Sequence, residues 1–490
     1  MKKILPLLLP GILAAGCDRQ PEKPNIILFL VDDMGWQDTS VPFWEDTTDF
    51  NRLYRTPNME RMAREGVKFT QAYASSVSSP SRISLMTGMN AAKHGVTNWT
   101  LYPDGRQEGK HPGLDLPPWN YAGLSPDPAT PHAAIATPLP QILKDNGYFT
   151  IHCGKAHLGA IGTPGADPLN LGFDVNIAGH AAGAPQSYQG TKNFGNDENG
   201  QPVNVWSVPG LEKYHGQEVN LTDALTREAI LAMDKARRAG KPFFLNMWHY
   251  TIHAPLERDH RFAAHYEGTG LPEQEVRYAS MIEGMDRSLG DLMDYLTANK
   301  LEKKTIILFM SDNGGLSVSA RGGEPNTHNR PLASGKGSAY EGGIRVPMLV
   351  KWPGVSIPGT TSRQYVIIED FFPTILDMAG LEHPETIQEI DGLSFAPMIA
   401  SPSTIPYPER PLIWHYPNWW GPTGPGIGTY SAIRQGDWKL IYFYWEQRYE
   451  LYNLKEDIGE TNDLSDENLE LVRKLSITLE LAIALELTTL

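Results

Sequence analysis

The sequence predicts an α/β sandwich, with helices covering both faces of a central sheet, followed by a small C-terminal subdomain of antiparallel sheet and helix. Three observations lead to this prediction. Apolar runs of strand length recur along the chain, segments with helical spacing lie between them, and the composition changes after Pro402. The chain has 490 residues, 41% of them hydrophobic, so it can bury a large core without disulfides.

The central strands are predicted at residues 26–31, 243–248 and 306–310, which are apolar at nearly every position. Such runs are typical of strands that are buried on both faces of a sheet. Between them, Thr56-Pro57 and Gly66 mark the two ends of a predicted helix. Methionine and leucine at helical spacing predict a longer helix from about residue 274 to 296.

The region after Pro402 is rich in Pro, Trp, Tyr and Gly before it returns to regular patterns. Strands are predicted at 438–444 and 449–454, and a helix from about 467 to 487. The expected division is therefore a main domain, residues 25–402, and a C-terminal subdomain, residues 403–490.

The amino terminus predicts an export signal, residues 1–16, because two lysines precede a short apolar stretch. Ala14-Ala15-Gly16-Cys17 resembles a bacterial lipobox, which implies lipidation of Cys17 and a polar tether over residues 17–24. The alternative is an ordinary secretory signal that precedes a cysteine by chance. We expect an exported protein at the periplasmic or outer surface of a bacterium, held to the membrane by a lipid anchor only.

The net charge of −15 argues against a nucleic-acid partner, because binding to phosphate backbones needs a basic face. The surface also offers no long-range attraction for an anionic substrate. Any anion site must therefore gather its positive charge locally.

The run Ser78-Ser79-Pro80-Ser81-Arg82, with Thr87-Gly88 after it, is the most specific motif in the chain. It places a hydroxyl at the start of a predicted helix, one turn before Arg82. A plain Ser-Pro helix start is the alternative interpretation.

Two pairs of oxygen-bearing residues follow predicted strands. Asp32-Asp33 come after the first strand, and Asp312-Asn313 after the strand at 306–310. Ligand sites of α/β sheets lie at such strand ends, and hard oxygen ligands suit calcium better than zinc. Either pair alone could instead be a turn.

These runs resemble the signature of the formylglycine-dependent sulfatases of the alkaline phosphatase superfamily, in its serine-type form. The resemblance implies an alkaline-phosphatase-like sandwich with a large mixed, mostly parallel sheet. It also implies that Ser78 is oxidised to formylglycine (3-oxoalanine), and that one calcium ion is bound by Asp32, Asp33, Ser78, Asp312 and Asn313.

Further phrases carry the likeness along most of the chain, among them Gly154-Lys155-Ala156-His157 and Gly335-Lys336-Gly337. Arg82, one helical turn after residue 78, is expected to lie near the aldehyde hydrate and neutralise it. By resemblance, Lys155 holds the hydrate and His157 removes its proton during sulfate expulsion. His253 protonates the leaving oxygen, and Lys336 contacts the sulfate. His249 is interpreted as structural.

The expected activity is sulfate removal from a sulfated glycan, with exo action on sulfated galactose or N-acetylgalactosamine as the first hypothesis. The expected partners are that substrate and an anaerobic-type sulfatase maturation enzyme acting on Ser78. The alternatives are a phosphatase or phosphodiesterase of the same superfamily and an inactive glycan-binding protein. Loop residues with aromatic or polar side chains are the candidates for sugar binding: Trp99, Tyr102, the stretch His180 to Tyr188, Arg321, His328, Arg330, His415, Trp419 and Trp420.

Overall fold

The structure is a computed structural model that describes residues 23–105, 109–111, 113–381, 384–402 and 409–484. The predicted signal peptide and Cys17 lie outside these ranges, and the predicted domain boundary falls beside the gap at 403–408. Within the described ranges, every helix is too short or too polar to cross a bilayer.

Within the described residues, fourteen strands form three sheets. In chain order they are β1 (Asn25–Val31), β2 (Val67–Tyr73), β3 (Gly123–Ser125), β4 (Ala133–Ile135), β5 (Phe149–Gly154), β6 (Val175–Ile177), β7 (Phe243–Trp248), β8 (Thr305–Ser311), β9 (Arg345–Lys351), β10 (Thr360–Ile367), β11 (Leu412–Tyr416), β12 (Tyr430–Gln435), β13 (Trp438–Phe443) and β14 (Arg448–Asn453).

The helices separate these strands along most of the chain. They are α1 (Asp49–Leu53), α2 (Pro57–Glu65), α3 (Ser78–Thr87), α4 (Ala91–His94), α5 (Leu139–Asp145), α6 (Leu221–Arg238), α7 (Glu273–Ala298), α8 (Glu341–Ile344), α9 (Phe371–Met378), α10 (Ala396–Ala400) and α11 (Leu469–Ala484). The two predicted helices of the main domain are α2 and α7. Thr56 precedes α2 as expected, but its hydroxyl bonds Thr39 and Ser40 instead of capping the helix.

The large sheet has eight strands in the order β10-β2-β9-β8-β1-β7-β5-β6. Only β9 runs against its neighbours, β2 and β8, and the other paired strands are parallel. The predicted mixed, mostly parallel sheet is therefore confirmed.

Strand β1 lies at the centre of this sheet and faces two separate cores. Ile26, Leu28 and Leu30 belong to one hydrophobic cluster, which includes residues of α3, α5 and α9. The alternate residues belong to a second cluster, with residues of α2, α6 and α7. Because side chains alternate along a strand, helices on both faces explain why β1 is apolar throughout.

The C-terminal sheet is antiparallel, in the order β11-β12-β13-β14. Leu475 and Leu479 of α11 pack on its Ile433, Leu440 and Leu451. The predicted strand pair and final helix are thus confirmed. Trp414 on β11 connects this sheet to the main one, since its Nε1 donates to the Ala74 carbonyl over 2.9 Å.

Candidate active site

The central strands end beside one another, so the polar residues that follow them lie at one edge of the sheet. Asp32 follows β1, Asp312 follows β8 and Lys155 follows β5. Because β1 runs parallel to β8 and β7, and β7 to β5, their carboxyl ends meet at the same edge. The juxtaposition expected for the acidic pairs is present in the structure.

Ser78 is the first residue of α3 and is 2% exposed. Its Oγ lies 3.2 Å from Asp32 Oδ1 and 3.3 Å from Asn313 Oδ1. Lys155 Nζ donates to the same Oγ over 2.9 Å. The helix start therefore places the hydroxyl among the side chains that follow β1, β8 and β5.

Arg82 lies one turn further along α3 and is fully buried. Its Nε and Nη2 are each 2.9 Å from Asp312 Oδ2, and Nη1 donates to the Lys155 carbonyl over 2.8 Å. These contacts position the Asp312 carboxylate and the Lys155 backbone. The described hydrogen bonds of the Arg82 side chain go to these two groups, and Asp312 and Lys155 lie between it and the metal-binding oxygens.

Three buried carboxylates meet beside Ser78. Oxygens of Asp32, Asp33 and Asp312 lie within 4.8 Å of one another. Burial raises the pKa of Asp32 to about 8 against the opposing effect of Lys155. Burial also acts to raise the pKa of Asp33, but Lys336 and His253 outweigh it and the pKa is lowered. Lys155, Lys336 and Arg82 each pair with one of these carboxylates, and a shared cation would further stabilise the ionised forms in this buried site.

Asn313 completes an all-oxygen donor set for such a cation. Its Nδ2 donates to Asp33 Oδ1 over 2.8 Å and to the Gly314 carbonyl, which turns Oδ1 toward Ser78. The three carboxylates, this amide oxygen and the serine hydroxyl are hard ligands of the type that calcium prefers. The donor chemistry therefore fits a calcium-type ion.

Two lysines approach the carboxylates from different sides. Lys155 Nζ is 2.7 Å from Asp32 Oδ2, and burial lowers the pKa of this lysine to about 8. Lys336 Nζ is 2.7 Å from Asp33 Oδ1. Burial acts to lower the pKa of Lys336 as well, but Asp33 and Asp32 raise it above its usual value.

The two predicted catalytic histidines have defined tautomers. His157 Nε2 is 2.8 Å from the Thr100 carbonyl, so Nε2 carries the proton, and the buried Nδ1 has no partner. His253 Nδ1 likewise donates to the Ala254 carbonyl over 2.8 Å, while Nε2 is 3.8 Å from Asp33 Oδ2. Burial lowers the pKa of both rings, that of His253 to about 3. The residue interpreted as structural, His249, is buried against Ser288 Oγ at 2.9 Å.

A cavity of about 300 Å³ opens above Ser78. Its floor contains Asp33, Ser78, His157, His253 and Lys336. Its walls come from six loops and are apolar: Val77, Trp99, Gly183, Ala184, Trp206, Ala254, Leu316, Val318, Ala320, Trp420 and Pro422. The polar floor and the apolar walls are two distinct parts of one pocket.

Of the residues predicted to bind sugar, Trp99 and Trp420 line this cavity, as do Gly183 and Ala184 of the predicted stretch 180–188. Arg321 does not, and its assignment to substrate was wrong because its side chain is fully buried against Asp38 and Glu275. His328 bonds Ser317 and the Gly322 carbonyl, and the exposed Arg330 is not among the lining residues. Trp206 was missed, since its loop carries no motif and aromaticity was its only signal.

The two other histidines proposed for substrate also have different positions. His180 contributes its carbonyl to the His157 backbone N–H over 3.2 Å, and its ring lies beside Tyr250. His415 Nδ1 is 2.7 Å from Ser431 Oγ, near a separate small cavity of the C-terminal sheet. The structure therefore brings neither ring into the lining of the main pocket.

Known proteins match nearly the whole chain. The family model described as Sulfatase matches residues 24–381, and the one described as N-sulphoglucosamine sulphohydrolase, C-terminal, matches 335–484. N-acetylgalactosamine-6-sulfatase of Canis lupus familiaris is 31% identical over 463 residues, covering 91% of this chain and 76% of that protein. A sulfatase of Formosa agariphila is 27% identical, covering 94% of this chain and 88% of the relative. The solved structure of Ps i-CgsB in complex with k-i-k-neocarrahexaose is 29% identical, with a TM-score of 0.73, and the match covers 94% of this chain and 93% of that one.

Proposed function

The chain belongs to the sulfatase family of sulfuric ester hydrolases, and from that premise we propose that it removes sulfate from a sulfated glycan. The reaction uses a formylglycine formed from Ser78 and one bound calcium ion. The single observation that carries this proposal is the position of Ser78 Oγ, which lies between Lys155 Nζ at 2.9 Å and Asp32 Oδ1 at 3.2 Å.

An unmodified serine is poorly equipped for this reaction. A serine nucleophile needs a neighbouring base that is free to take its proton. The lysine and the carboxylate that contact Ser78 Oγ are paired with each other over 2.7 Å, and the third contact is the amide oxygen of Asn313. Conversion to an aldehyde hydrate supplies one hydroxyl that attacks sulfur and a second whose deprotonation expels sulfate. Lys155, with its pKa lowered to about 8, donates a hydrogen bond at this atom and offsets the developing charge.

Calcium is the ion we propose for the oxygen cluster. Asp32, Asp33, Asp312 and Asn313 would hold it, with residue 78 as a further ligand. When bound, the ion polarises a sulfate oxygen and the nucleophile. Arg82 keeps the Asp312 carboxylate oriented toward this site.

The histidines are arranged for separate proton transfers. His157 presents an unprotonated Nδ1 that has no partner, which suits a base at residue 78. His253 presents Nε2 to the pocket floor, where the leaving oxygen would lie. A bound sulfate ester is negative and raises the pKa of this ring, so the substrate itself favours the protonated form that donates.

A glycan substrate is supported by the pocket and by the relatives. A cavity of about 300 Å³ lies at the small end of ligand sites and suits one sugar ring with its sulfate. Similar proteins are named N-acetylgalactosamine-6-sulfatase, and one similar structure holds k-i-k-neocarrahexaose. We therefore propose exo action on a sulfated galactose or N-acetylgalactosamine unit.

The phosphatase and phosphodiesterase alternative has less support. Those enzymes use two metal ions, and the described residues contain one cluster of metal-binding carboxylates, Asp32, Asp33 and Asp312. The inactive-binder alternative gives no reason for an unpartnered His157 Nδ1 in the pocket that Ser78 also lines. Sulfate release is the activity that uses all of these groups.

We also propose that Cys17 carries a lipid that holds the protein at the surface of a bacterium. The tether would then enter β1 at Asn25, at the amino edge of the sheet. The pocket lies at the opposite, carboxyl edge, so it would face away from the membrane. Metabolic labelling with a radioactive fatty acid should mark the wild-type protein and leave Cys17→Ala unlabelled.

The activity is tested by expressing the protein with and without an anaerobic-type sulfatase maturation enzyme. Sulfate release from N-acetylgalactosamine 6-sulfate and galactose 6-sulfate is then measured. We expect release only from the co-expressed protein. Equal release without the maturation enzyme would contradict the formylglycine mechanism, and phosphate release in preference to sulfate would favour the phosphatase.

A further inference from the structure

Resting on the proposed function, we infer that the pocket selects a ring that carries the scissile sulfate and no other charge. A carboxylate or a second sulfate on the same ring is disfavoured. This inference names the chemical class of the leaving group, and it rests on where charge is present and absent around the cavity.

All charged groups among the described lining residues lie at the floor. They are Asp33 and Lys336, and the uncharged Ser78, His157 and His253 lie at the floor with them. Lys336 is already paired with Asp33 at 2.7 Å, and the rings of His157 and His253 each donate to a backbone carbonyl. Lys336 is therefore the one cationic side chain among the described lining residues, and a single sulfate group would occupy it.

The upper pocket presents three indole rings from three separate loops. Trp420 packs on Gly337, where an added Cβ would come within 2.3 Å of the ring, and the φ of +84° suits glycine. The Trp206 backbone is held by Asn204 Oδ1 at 2.8 Å and by Gln186 N at 2.7 Å. Fixed indole faces suit the apolar C–H face of an uncharged ring.

The loop at 316–321 completes the wall and explains why it is uncharged. Leu316, Val318 and Ala320 face the cavity. The next residue, Arg321, turns its guanidinium inward to Asp38 Oδ1 at 3.1 Å and to the Leu316 carbonyl at 3.1 Å. Arg321, the cationic residue next to this wall in the sequence, therefore stabilises the loop and does not line the cavity.

A second anion on the bound ring would meet these apolar walls. Moving a charge from water to such a surface is costly unless a partner pairs with it. The described wall residues offer no partner of opposite charge. A ring without a second charge does not have this desolvation cost, and it gains contact with the indole rings.

Binding to the unconverted Ser78 protein tests this inference separately from catalysis. Trp99, Trp206 and Trp420 make tryptophan fluorescence a direct reporter of ligand in the pocket. The probes are two matched pairs: N-acetylgalactosamine 6-sulfate against its 4,6-disulfate, and the sulfate ester of methyl 4-hydroxybenzoate against that of 4-hydroxybenzoate. We expect the dissociation constant to be at least ~10-fold higher for the doubly charged member of each pair, since a tenfold change needs only about 1.4 kcal/mol.

A charge placed in the wall provides the matched control. Ala320→Lys should reduce the ratio of the two dissociation constants within each pair of probes. Ser319→Lys changes an exposed neighbour that is not a lining residue, and it should leave that ratio unchanged. Equal or tighter binding of the doubly charged ligands by the wild type, or failure of both singly charged probes to bind, would overturn the inference. Absence of sulfate release from the matured enzyme would instead count against the proposed function.

Discussion

Lys155 Nζ lies 2.9 Å from Ser78 Oγ and 2.7 Å from Asp32 Oδ2, so one ammonium group contacts both the nucleophile position and the metal-site carboxylates. Lys155 and Ser78 are both buried, and burial lowers the pKa of Lys155 to about 8. This contact joins the reacting residue to the charged groups that surround it.

Removing the Lys155 ammonium should abolish catalysis without removing the fold. In Lys155→Met the carboxylate of Asp32 loses its closest cation, and the developing charge at residue 78 loses a donor. We expect kcat/KM to fall at least ~10²-fold, as for the loss of one preorganised donor. Steady-state kinetics with the matured protein, beside circular dichroism of the same sample, make the comparison. Activity within a few-fold of wild type would show that Lys155 has no catalytic role.

Chelation should remove activity and lower stability together. Because the three carboxylates share one dry site, losing a cation leaves them mutually repulsive. We expect EDTA to abolish sulfate release and calcium to restore it. A ligand present at 100 times its Kd stabilises a protein by about 2.7 kcal/mol, so Tm should rise with calcium. Asp312→Asn should weaken that response, and full activity after exhaustive chelation would contradict the metal site.

Arg321 should act as a positioning residue through the pocket wall. It is fully buried between Asp38 and Glu275, and breaking a buried pair from one side costs roughly 3–5 kcal/mol. Arg321→Met should therefore lower the free energy of unfolding by that order in urea titrations. Because the loop it holds lines the cavity, KM should rise more than kcat falls. Arg321→Lys should recover part of both losses, and the exposed Arg330→Ala should change neither; an Arg321→Met protein with unaltered KM would refute this role.

Acid should destabilise the fold through His94, a buried histidine outside the predicted catalytic set whose Nε2 lies 3.0 Å from Ser84 Oγ. Val96 N donates to His94 Nδ1 over 3.1 Å, so this ring must stay neutral, and burial lowers the pKa of His94 to about 3. The unfolded chain takes up the proton near pH 6.5, so stability is full above that pH and is lost as pH falls toward 3. The contribution is ~1.4 kcal/mol per pH unit. His94→Gln should show a smaller decrease in unfolding free energy between pH 6.5 and 4.5, measured by urea titration; an unchanged slope would contradict the assignment.

The sequence predicted the site well where its residues follow strands or begin a helix. Asp32 and Asp312 had to meet because β1 and β8 are parallel neighbours, and Ser78 had to be near them if α3 starts at that edge. Those placements depend on backbone direction, which hydrophobic patterns reveal.

Loop residues could not be predicted in the same way. Arg321 and His328 are polar and lie in a loop beside the pocket, but both turn inward to bond protein groups. Trp206 turns toward the cavity from a loop with no motif. The direction of such a side chain depends on distant partners, in the case of Arg321 on Asp38 and Glu275, and local sequence does not encode that choice.

The central claim is that Ser78 becomes a formylglycine, and the mass of the peptide containing residue 78 tests it most directly. The peptide should be prepared from protein that has just been shown to release sulfate. The account predicts a peptide in which the serine has lost two hydrogen atoms, with activity proportional to the converted fraction. Full activity from protein whose Ser78 peptide has the unmodified mass would contradict it.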